Sequence, residues 1–234
     1  MFTEAASKTA NITGASSSLG AEFGNQLSTR GYNLVLVTRR AERLRQVSKI
    51  IETKYGVQVN IQLADLSSLI DIDHMVGIIN SIFSLDLLVN NAGFGTVGRF
   101  HRADTDKGLA MLNVHMVAPA LLCRAALPGM ISRNHGAIIN VAALAGLIRI
   151  RNVLYHSSKA FLVSFSKELH AELRDSQVHV RALCPGFIST EFHDMAEYSR
   201  FNRTSVQQFL WMTSEQVVTE SLKSLQRKEV ICIP

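Results

Sequence analysis

Residues 9–20 read Thr-Ala-Asn-Ile-Thr-Gly-Ala-Ser-Ser-Ser-Leu-Gly, and this stretch gives the first indication of the fold. Thr9–Thr13 is typical of a short strand, Gly14–Gly20 is a turn of small residues, and Ala21–Arg30 is predicted to be a helix. Where a strand leads through such a turn into a helix, backbone N–H groups and the helix N-terminus can bind a phosphate. An ordinary strand-to-helix turn also often contains Gly and Ser, so the rest of the chain must decide between the two interpretations.

Two residues of this stretch depart from the pattern. Asn11 places an amide in a strand that should be apolar. Ser18 stands where a third glycine would let a pyrophosphate approach more closely. A residue other than glycine is strained if that position requires a positive φ. We therefore expect either strain at Ser18 or a larger change of the turn.

The remainder of the chain alternates strands with helices. The further predicted strands are Asn33–Val37, Val57–Leu63, Asp86–Asn90, Gly136–Val141, Val178–Cys184 and Val230–Ile233. The further predicted helices are Ala41–Tyr55, one capped by Ser67 and ending near Ile82, Asp104–Ser132 with a break near Pro119, one from Tyr155 to about Leu173, and Ser214–Leu225. Such alternation favours right-handed crossovers between parallel strands. We predict one α/β domain over residues 1–234, a Rossmann-like doubly wound parallel sheet of about seven strands with helices on both faces.

The composition argues against several classes of protein. Of the 234 residues, 47% are hydrophobic and 18% are charged, which indicates a globular chain. The net charge of +5 comes from scattered Lys and Arg, without the basic and aromatic interleaving of a nucleic-acid site. The N-terminus lacks a signal-peptide core, and we find no apolar run long enough to span a bilayer. We expect a soluble, cytoplasmic protein with neither nucleic-acid nor membrane partners.

The cysteines and histidines lack the spacing of metal ligands, so no metal site is predicted. The cysteines are Cys123, Cys184 and Cys232. Because they lie far apart, we interpret them as buried thiols in a reducing compartment. The histidines His115, His156 and His193 are also separated, and we interpret them as ordinary surface or core residues.

Polar and small residues follow several predicted strands at their carboxyl ends, where sheets of this kind bind ligands. The second strand ends in Thr38-Arg39-Arg40. An acid there would hold a ribose 2′-hydroxyl, whereas an arginine accommodates a 2′-phosphate. The alternative is that Arg39 and Arg40 are solvated charges at the start of a helix. Asp65 follows the third strand, and the fourth ends in the small residues of Asn90–Gly93.

Tyr155 and Lys159 are four residues apart in a predicted helix, so their side chains lie on one face. A nearby cation favours the phenolate and lowers the pKa of a tyrosine. A tyrosine adjusted in this way can donate or accept a proton near neutral pH. Alone, such a pair is more often a solvated surface pair, and the other motifs of the chain are needed to give it weight.

Together these motifs resemble the short-chain dehydrogenase/reductase family over essentially the whole chain. The matching pieces are Thr-Gly-x-x-x-x-x-Gly at Thr13–Gly20, Asp65, Asn-Asn-Ala-Gly at Asn90–Gly93, Asn113, Tyr155 with Lys159, and Pro185-Gly186 with Thr190. The Thr-Arg-Arg ending and the Asn-Ala-Gly-Phe-Gly run are similar to the NADP-preferring members, which reduce ketones, aldehydes or acyl carbonyls. The resemblance therefore implies NADP as cofactor and a small carbonyl or alcohol as substrate.

The resemblance also implies a role for each matching position. The cofactor-binding residues so implied are Gly14, Ser16, Ser18, Leu19, Gly20, Arg39, Arg40, Asp65, Leu66, Asn91, Ala92, Gly93, Tyr155, Lys159, Pro185, Gly186, Ile188 and Thr190. The turn would surround the pyrophosphate and the adenosine ribose, and the arginines would hold the 2′-phosphate. Asp65 would contact the adenine, with the Leu66 backbone beside it. Ile188 and Thr190 would orient the carboxamide.

The catalytic residues implied by the resemblance are Tyr155, Lys159, Asn113 and the position of Ala143. Tyr155 would be the general acid in reduction, Lys159 would hold the nicotinamide ribose, and Asn113 would hold a water that links Lys159 to solvent. The family has a serine three residues after an Asn like Asn140, and here that residue is Ala143. Sliding the alignment by one residue places Ala142 there, which is again an alanine.

Two hypotheses follow. The first is an NADP(H)-dependent oxidoreductase of reduced activity, since loss of one oxyanion donor costs roughly a hundred- to a thousandfold in rate. The second is a nucleotide-binding or scaffold protein with this fold and little turnover.

Aromatic residues between Phe187 and Trp211 indicate an apolar lid or, equally, core packing. The stripe Phe161, Phe165, Leu169 and Leu173 predicts a homodimer or homotetramer. Relatives usually continue beyond the position of Pro234, with a segment that often covers the pocket or an interface.

Overall fold

The computed structural model describes residues 8–39, 41–96, 98–148, 152–189, 207–227 and 229–234. Its strands are β1 Thr9–Thr13, β2 Asn33–Thr38, β3 Val59–Leu63, β4 Leu85–Asn90, β5 Gly136–Val141, β6 Val178–Leu183, β7 Phe187–Ile188, β8 Trp211–Met212 and β9 Ile231–Cys232. Its α-helices are α1 Ser18–Ser28, α2 Ala41–Tyr55, α3 Leu69–Asn80, α4 Thr105–Leu112, α5 Ala118–Ser132, α6 Val153–Glu172 and α7 Ser214–Ser224.

Seven strands form one parallel sheet in the order β3-β2-β1-β4-β5-β6-β9, and β7 pairs with β8 in a separate two-stranded sheet. The chain reverses its direction of travel across the sheet between β1 and β4, which is where doubly wound sheets bind ligands at their carboxyl ends. The predicted doubly wound α/β fold is thereby confirmed.

Two apolar clusters cover the two faces of the sheet. One contains side chains of α1, α2 and α7, such as Phe23, Leu44 and Val217. The other contains side chains of α3 and α5, such as Met75 and Leu122, together with the end of α6. Helices therefore lie on both faces, and the loops at the carboxyl edge are left to form a site. Cys123, Cys184 and Cys232 are buried free thiols, as predicted.

Several predicted boundaries are corrected. Helix α1 begins at Ser18 rather than at Ala21, because the Ser17 hydroxyl caps it by accepting from the Gly20 N–H. Ser68, not Ser67, caps α3, since the Ser68 side chain accepts from the Asp71 N–H. The predicted apolar stripe on α6 is only partly exposed, because its members Leu169 and Leu173 are buried within this chain.

The predicted break near Pro119 lies earlier, in a π-helical turn over Asn113–Val117 between α4 and α5. The Ala118 N–H reaches back five residues to the Asn113 carbonyl. Pro119 lies directly after this turn, in the first turn of α5, and because it has no N–H it cannot donate back to the carbonyl of His115. Turns of this kind occur often at functional sites, and this one places His115 in the interior.

Asn11 is fully buried in β1, and its amide forms no hydrogen bond with any described residue. Burying an amide without a partner costs free energy, and estimates from protein mutations are about 1–3 kcal/mol. We therefore expect the Asn11 side chain to cost stability at the centre of the sheet.

One helical stretch, Thr105–Ser132, is long and apolar enough to cross a membrane by length and composition. The expectation that no apolar run reaches this length is therefore wrong. Half of its most apolar window is buried inside the fold, where α5 packs on α3, β4 and β5. The buried helix of a soluble protein can be equally long and apolar, so length and composition are weak evidence for a membrane-spanning helix. The absence of membrane partners and the cytoplasmic location stay predictions.

Candidate active site

The turn between β1 and α1 is closely packed against the loop that follows β4. Gly14 has a φ of 65°, and a Cβ there would lie 2.9 Å from the Ala92 Cα. A Cβ at Gly20 would lie 2.4 Å from the Gly14 carbonyl oxygen. Both positions therefore require glycine, which lets the turn pack tightly against the loop after β4 at the start of α1, the kind of place where backbone N–H groups can bind a phosphate.

Asn91 joins the two loops. Its Nδ2 donates to the carbonyl oxygens of Thr13 and Gly14 at 2.9 and 3.2 Å, while the Thr13 hydroxyl accepts from the N–H groups of Asn91 and Ala92, each at 3.0 Å. The Asn91 side chain therefore holds the turn in place. That Asn91, Ala92 and Gly93 line the adenosine side of a bound cofactor remains a prediction.

The serines of the turn have different environments. Ser16 is buried, and its hydroxyl lies 2.7 Å from that of Thr38 at the end of β2. Ser18 begins α1, and its φ is not positive, since Asn134 is the one non-glycine residue with positive φ in the described part of the chain. The strain considered for Ser18 is absent, because α1 starts there and its backbone is helical.

Arg39 and Asp65 face each other at the ends of β2 and β3. Arg39 Nη1 lies 3.4 Å from Asp65 Oδ2, and the arginine side chain is 62% exposed, so it can bind a further anion. Partial burial opposes ionisation of the Asp65 carboxyl, but hydrogen bonds from Ser67 and the charge of Arg39 outweigh it and lower its pKa. Arg40 lies outside the described residues. Leu19 and Leu66 are buried in the two cores, which leaves only their backbone for a ligand.

Helix α6 presents Tyr155 near its N-terminus. Asn152 caps this helix by accepting from the Tyr155 N–H at 3.2 Å, and it donates to the Thr96 carbonyl in the loop after β4. One side chain thus sets both the start of α6 and the position of that loop. The pattern of the sequence did not single out Asn152, although Asn before a helix is a common cap.

Lys159 is buried on the same helix, with 5% of its surface exposed. Its Nζ donates to the carbonyl oxygen of Val141, the last residue of β5, at 2.8 Å and lies 5.8 Å from the centre of the Tyr155 ring. Burial disfavours the ammonium and lowers the pKa of Lys159 to about 8. The two predicted catalytic side chains are therefore neighbours, as the four-residue spacing indicated.

His115, which the sequence indicated only as an ordinary surface or core histidine, lies next to the candidate catalytic pair. It is fully buried, as one of the two predicted alternatives required, and its ring lies 5.8 Å from the ring of Tyr155 in an edge-to-face arrangement. Its partners are the Phe94 N–H and the Ser158 hydroxyl. Since a histidine inside an apolar helix usually indicates no more than a packed core residue, only the fold reveals this location.

Asn113 opens the π-helical turn, and its Nδ2 donates to the Ser67 carbonyl at 2.8 Å. The side chain therefore ties this turn to the loop after β3. The water predicted between Asn113 and Lys159 stays a prediction.

Ala143 follows β5 in extended conformation and precedes a 3-10 turn over Leu144–Gly146. The turn is anchored to α6, because a Cβ at Gly146 would lie 2.7 Å from the Lys159 carbonyl and His156 Nδ1 lies 2.6 Å from the Ala145 carbonyl oxygen. These contacts fix the position of Ala143 beside the helix that carries Tyr155.

The loop after β6 completes this edge of the sheet. The Pro185 carbonyl accepts from the Leu144 N–H at 2.8 Å, Gly186 is exposed, and Ile188 packs on the core of the α1 face. Thr190 lies outside the described residues.

The predicted aromatic lid is described only at its two ends. There the rings of Phe187 and Trp211 lie 5.3 Å apart. Residues 190–206 are outside the described part of the chain, so the lid stays a prediction. Within the described ranges, no group of three or more His, Cys, Asp or Glu side chains could hold a metal ion.

Comparison with known proteins agrees with this geometry. A family model described as short chain dehydrogenase matches residues 8–199. Among solved structures, a short-chain dehydrogenase from Sphingobium yanoikuyae in complex with NADPH superposes with a TM-score of 0.90 at 28% identity, covering 97% of this chain and 87% of that one.

Two relatives are similar in sequence. The chain is 30% identical over 193 residues to a very-long-chain 3-oxoacyl-CoA reductase of Anas platyrhynchos, which covers 80% of this chain and 62% of that relative. It is also 30% identical over 182 residues to a Homo sapiens protein named inactive hydroxysteroid dehydrogenase-like protein 1, which covers 76% of this chain and 55% of that protein. The chain thus matches less than two thirds of the length of either relative.

Proposed function

The chain belongs to the short-chain dehydrogenase family of oxidoreductases, and from this we propose that it transfers a hydride between NADP(H) and a carbonyl or alcohol carbon. The observation that carries the proposal is the pair of Tyr155 and buried Lys159 on one face of α6, beside the end of β5. A phenol with a neighbouring ammonium is suited to moving a proton to or from a substrate oxygen.

The residues at the sheet edge fit a nicotinamide dinucleotide. Gly14 and Gly20 permit a tight turn between β1 and α1, where any Cβ would collide with neighbouring backbone, and the backbone N–H groups of such a turn at a helix N-terminus suit a pyrophosphate. Exposed Arg39 suits a 2′-phosphate, since a guanidinium binds phosphate through paired hydrogen bonds. Asp65 beside it suits the adenine amine. When bound, the nicotinamide ring supplies or accepts the hydride, and the protein supplies orientation and electrostatics.

The protein side of the reaction rests on three groups. Tyr155 donates its phenolic proton to the oxygen of the reduced carbonyl, or accepts it in the reverse direction. Lys159, with a pKa of about 8, is still largely protonated at neutral pH and favours the phenolate of Tyr155 electrostatically. The Val141 carbonyl holds the ammonium in place at 2.8 Å.

For the substrate class, we favour a 3-oxoacyl thioester or a related ketone with an apolar chain. The reductase of Anas platyrhynchos supports this by its name. Exposed apolar side chains also occur in the segments that follow β4 and β5 and in the turn that precedes β8. They are Phe100, Leu147, Ile148 and Leu210. An apolar chain could be buried against such residues, which is the physical reason for preferring it to a sugar.

A second candidate is a nucleotide-binding protein with little turnover. It is favoured by Ala143, which we infer to stand where relatives have a serine hydroxyl, and by the human relative whose name describes it as inactive. Against it, Tyr155 and Lys159 are both present and adjacent, so the proton-transfer groups are retained.

The deciding experiment has two steps. Titration with NADPH and NADH, followed by nucleotide fluorescence or calorimetry, tests binding without a substrate. NADPH oxidation is then measured over 3-oxoacyl-CoA esters of several chain lengths, aldehydes, diketones and quinones, with Tyr155→Phe as control. Turnover that disappears in Tyr155→Phe supports the oxidoreductase, tight binding without turnover supports the second candidate, and no binding of either nucleotide contradicts both.

A further inference from the structure

His115 is a titratable group inside the candidate site, and it has no role in the proposed hydride and proton transfer. It lies in the π-helical turn between α4 and α5 and has no exposed surface, so it cannot contact a substrate. Its ring is surrounded by the loop after β4 and by α6. Phe94 and Tyr155 both lie edge-on to it, with ring centres 6.0 and 5.8 Å away.

The hydrogen bonds of His115 determine which ring nitrogen carries its proton. The Phe94 N–H donates to Nε2 at 3.2 Å, so Nε2 must present a lone pair. The proton of the neutral ring is then on Nδ1, which donates to the Ser158 hydroxyl oxygen at 2.9 Å. Ser158 in turn donates to the Tyr155 carbonyl at 3.0 Å. Every donor in this chain of bonds faces an acceptor.

A charged His115 would not fit the same arrangement, because both ring nitrogens of an imidazolium are donors and Nε2–H would face the Phe94 N–H. Burial and the nearby ammonium of Lys159 both lower the pKa of His115 well below its ordinary value. The titratable groups that face the ring are Lys159 and Tyr155, both on α6.

The position of His115 links the cofactor side of the site with the catalytic side. A Cβ added to Gly93 would lie 3.0 Å from His115 Nε2 and 3.6 Å from Lys159 Nζ, so both side chains border the same glycine. Gly93 and Phe94 belong to the loop proposed to line the nucleotide, while Ser158, Tyr155 and Lys159 belong to α6. The His115 side chain bonds to both, as Asn152 does at the start of α6.

We infer that His115 is a positioning residue: its neutral ring fastens the Phe94 amide to Ser158 and so fixes the spacing between the loop after β4 and the helix that carries Tyr155 and Lys159. The hydrogen-bond geometry carries this inference, and only its effect on nucleotide affinity rests on the proposed function. If the inference is right, the bond to Phe94 matters for cofactor binding, while the ring volume alone does not.

The first test is spectroscopic and needs no ligand. Two-bond proton–nitrogen correlation spectra of 15N-histidine-labelled protein, assigned with His115→Gln, report the tautomer and the titration of each histidine. We expect His115 to be neutral with its proton on Nδ1, and to show no titration near the ordinary histidine pKa. A proton on Nε2, or a titration midpoint near 6.5, would overturn the inference.

The second test uses three substitutions at His115 that remove its hydrogen bonds to Phe94 and Ser158 separately or together. His115→Gln can retain an acceptor for the Phe94 N–H, His115→Asn can retain a donor to Ser158, and His115→Phe keeps the ring volume but neither bond. Hydrogen exchange of the Phe94 amide should remain slow in His115→Gln and become about tenfold faster in the other two, as loss of one buried hydrogen bond implies. Equal exchange in His115→Gln and His115→Asn contradicts the proposal.

NADPH affinity is the functional measurement on the same variants. We expect His115→Gln to bind within about threefold of the unmodified protein, and His115→Asn and His115→Phe to bind about tenfold more weakly. Melting temperatures provide the control, since a merely structural role predicts that affinity follows stability across the three variants. That outcome would overturn the inference. If the unmodified protein binds no NADPH, the proposed function fails, and the tautomer and the Phe94 exchange still decide the role of His115.

Discussion

The Nζ atom of Lys159 lies 2.8 Å from the carbonyl oxygen of Val141, which joins the middle of helix α6 to the last residue of strand β5. The bond places a cation inside the protein, with 5% of the lysine surface exposed. Burial of this kind lowers the pKa of the amine to about 8 from 10.5. The buried position that we propose for Lys159 in proton transfer therefore also costs stability.

Lys159→Met should produce a more stable but inactive protein. The change from 10.5 to about 8 corresponds to roughly 3 kcal/mol at neutral pH, and loss of the donor to Val141 offsets part of it, so we expect a net gain of roughly 1–2 kcal/mol in the free energy of unfolding. Urea denaturation without nucleotide measures this. Lys167→Met, at an exposed position of the same helix, should change little.

The pH dependence of that difference has a definite sign. Because the folded-state pKa of Lys159 is lowered, the cost of burying its charge is fully present below pH 8 and disappears as the pH rises to about 10.5. The stability advantage of Lys159→Met should therefore shrink across this window. An advantage that is constant from pH 7 to pH 10.5 would show that burial of the charge is not its cause.

Arg39→Ala should remove most of the preference for NADPH over NADH. Arg39 is exposed and lies at the end of β2, where its guanidinium can pair with a 2′-phosphate. Charge-assisted bonds of about 1.5–3 kcal/mol imply a roughly ten- to hundredfold loss of NADPH affinity, with NADH affinity unchanged. Arg45→Ala, an exposed arginine on α2, is the matched control. Equal affinity of the unmodified protein for both nucleotides would exclude the role of Arg39.

Ala143→Ser should increase turnover if the protein is a reductase. One oxyanion donor contributes about 2.7–4 kcal/mol to the transition state. The contacts of Gly146 with Lys159 and of Ala145 with His156 hold this turn against α6, so the new hydroxyl should lie beside Tyr155.

Ala142→Ser tests the other alignment and should have no such effect, since Ala142 is 3% exposed and its N–H bonds Asn140. The comparison is NADPH oxidation over the panel of carbonyl compounds. High activity of the unmodified protein, with no gain in Ala143→Ser, would show that another donor replaces the serine.

Asn11→Val should stabilise the protein by roughly 1–3 kcal/mol, because it removes a fully buried amide that has no partner among the described residues. Asn140→Val provides a control of opposite sign. Asn140 is equally buried, but its amide bonds Asn90 at 2.8 Å and Ser166 at 2.9 Å, so its loss should destabilise. Thermal and urea unfolding measure both variants. Destabilisation by Asn11→Val would mean that the amide does have a partner.

The protein should be a homodimer or homotetramer in solution. Of the predicted α6 stripe, Phe161 and Phe165 remain half-buried and stack 5.5 Å apart, and Leu121 on α5 is 42% exposed. Leu121→Glu should lower the mass measured by light scattering at micromolar concentration, whereas Ile50→Glu on α2 should not. A monomeric mass for the unmodified protein contradicts this prediction.

Local patterns in the sequence were sufficient for the fold and for bringing together the proposed catalytic pair. Alternating strands and helices predicted the doubly wound sheet, because hydrophobic period and crossover handedness leave few other arrangements. The four-residue spacing of Tyr155 and Lys159 placed them together, because the helix period alone determines it. Gly14 and Gly20 were identified for the same reason, since a tight turn limits the residues it can contain.

Contacts between distant segments were decided only by the tertiary structure. The Asn91 amide holds the turn after β1, and His115 bonds Phe94 and Ser158, residues 21 and 43 positions away in the chain. Ser18 is unstrained because the helix begins there. No local pattern encodes such facts, because a hydrogen bond between segments depends on where packing brings their backbones. Which elements form and which residues stand at strand ends follow from the sequence pattern, whereas the packing of the loops against α6 brings particular residues together.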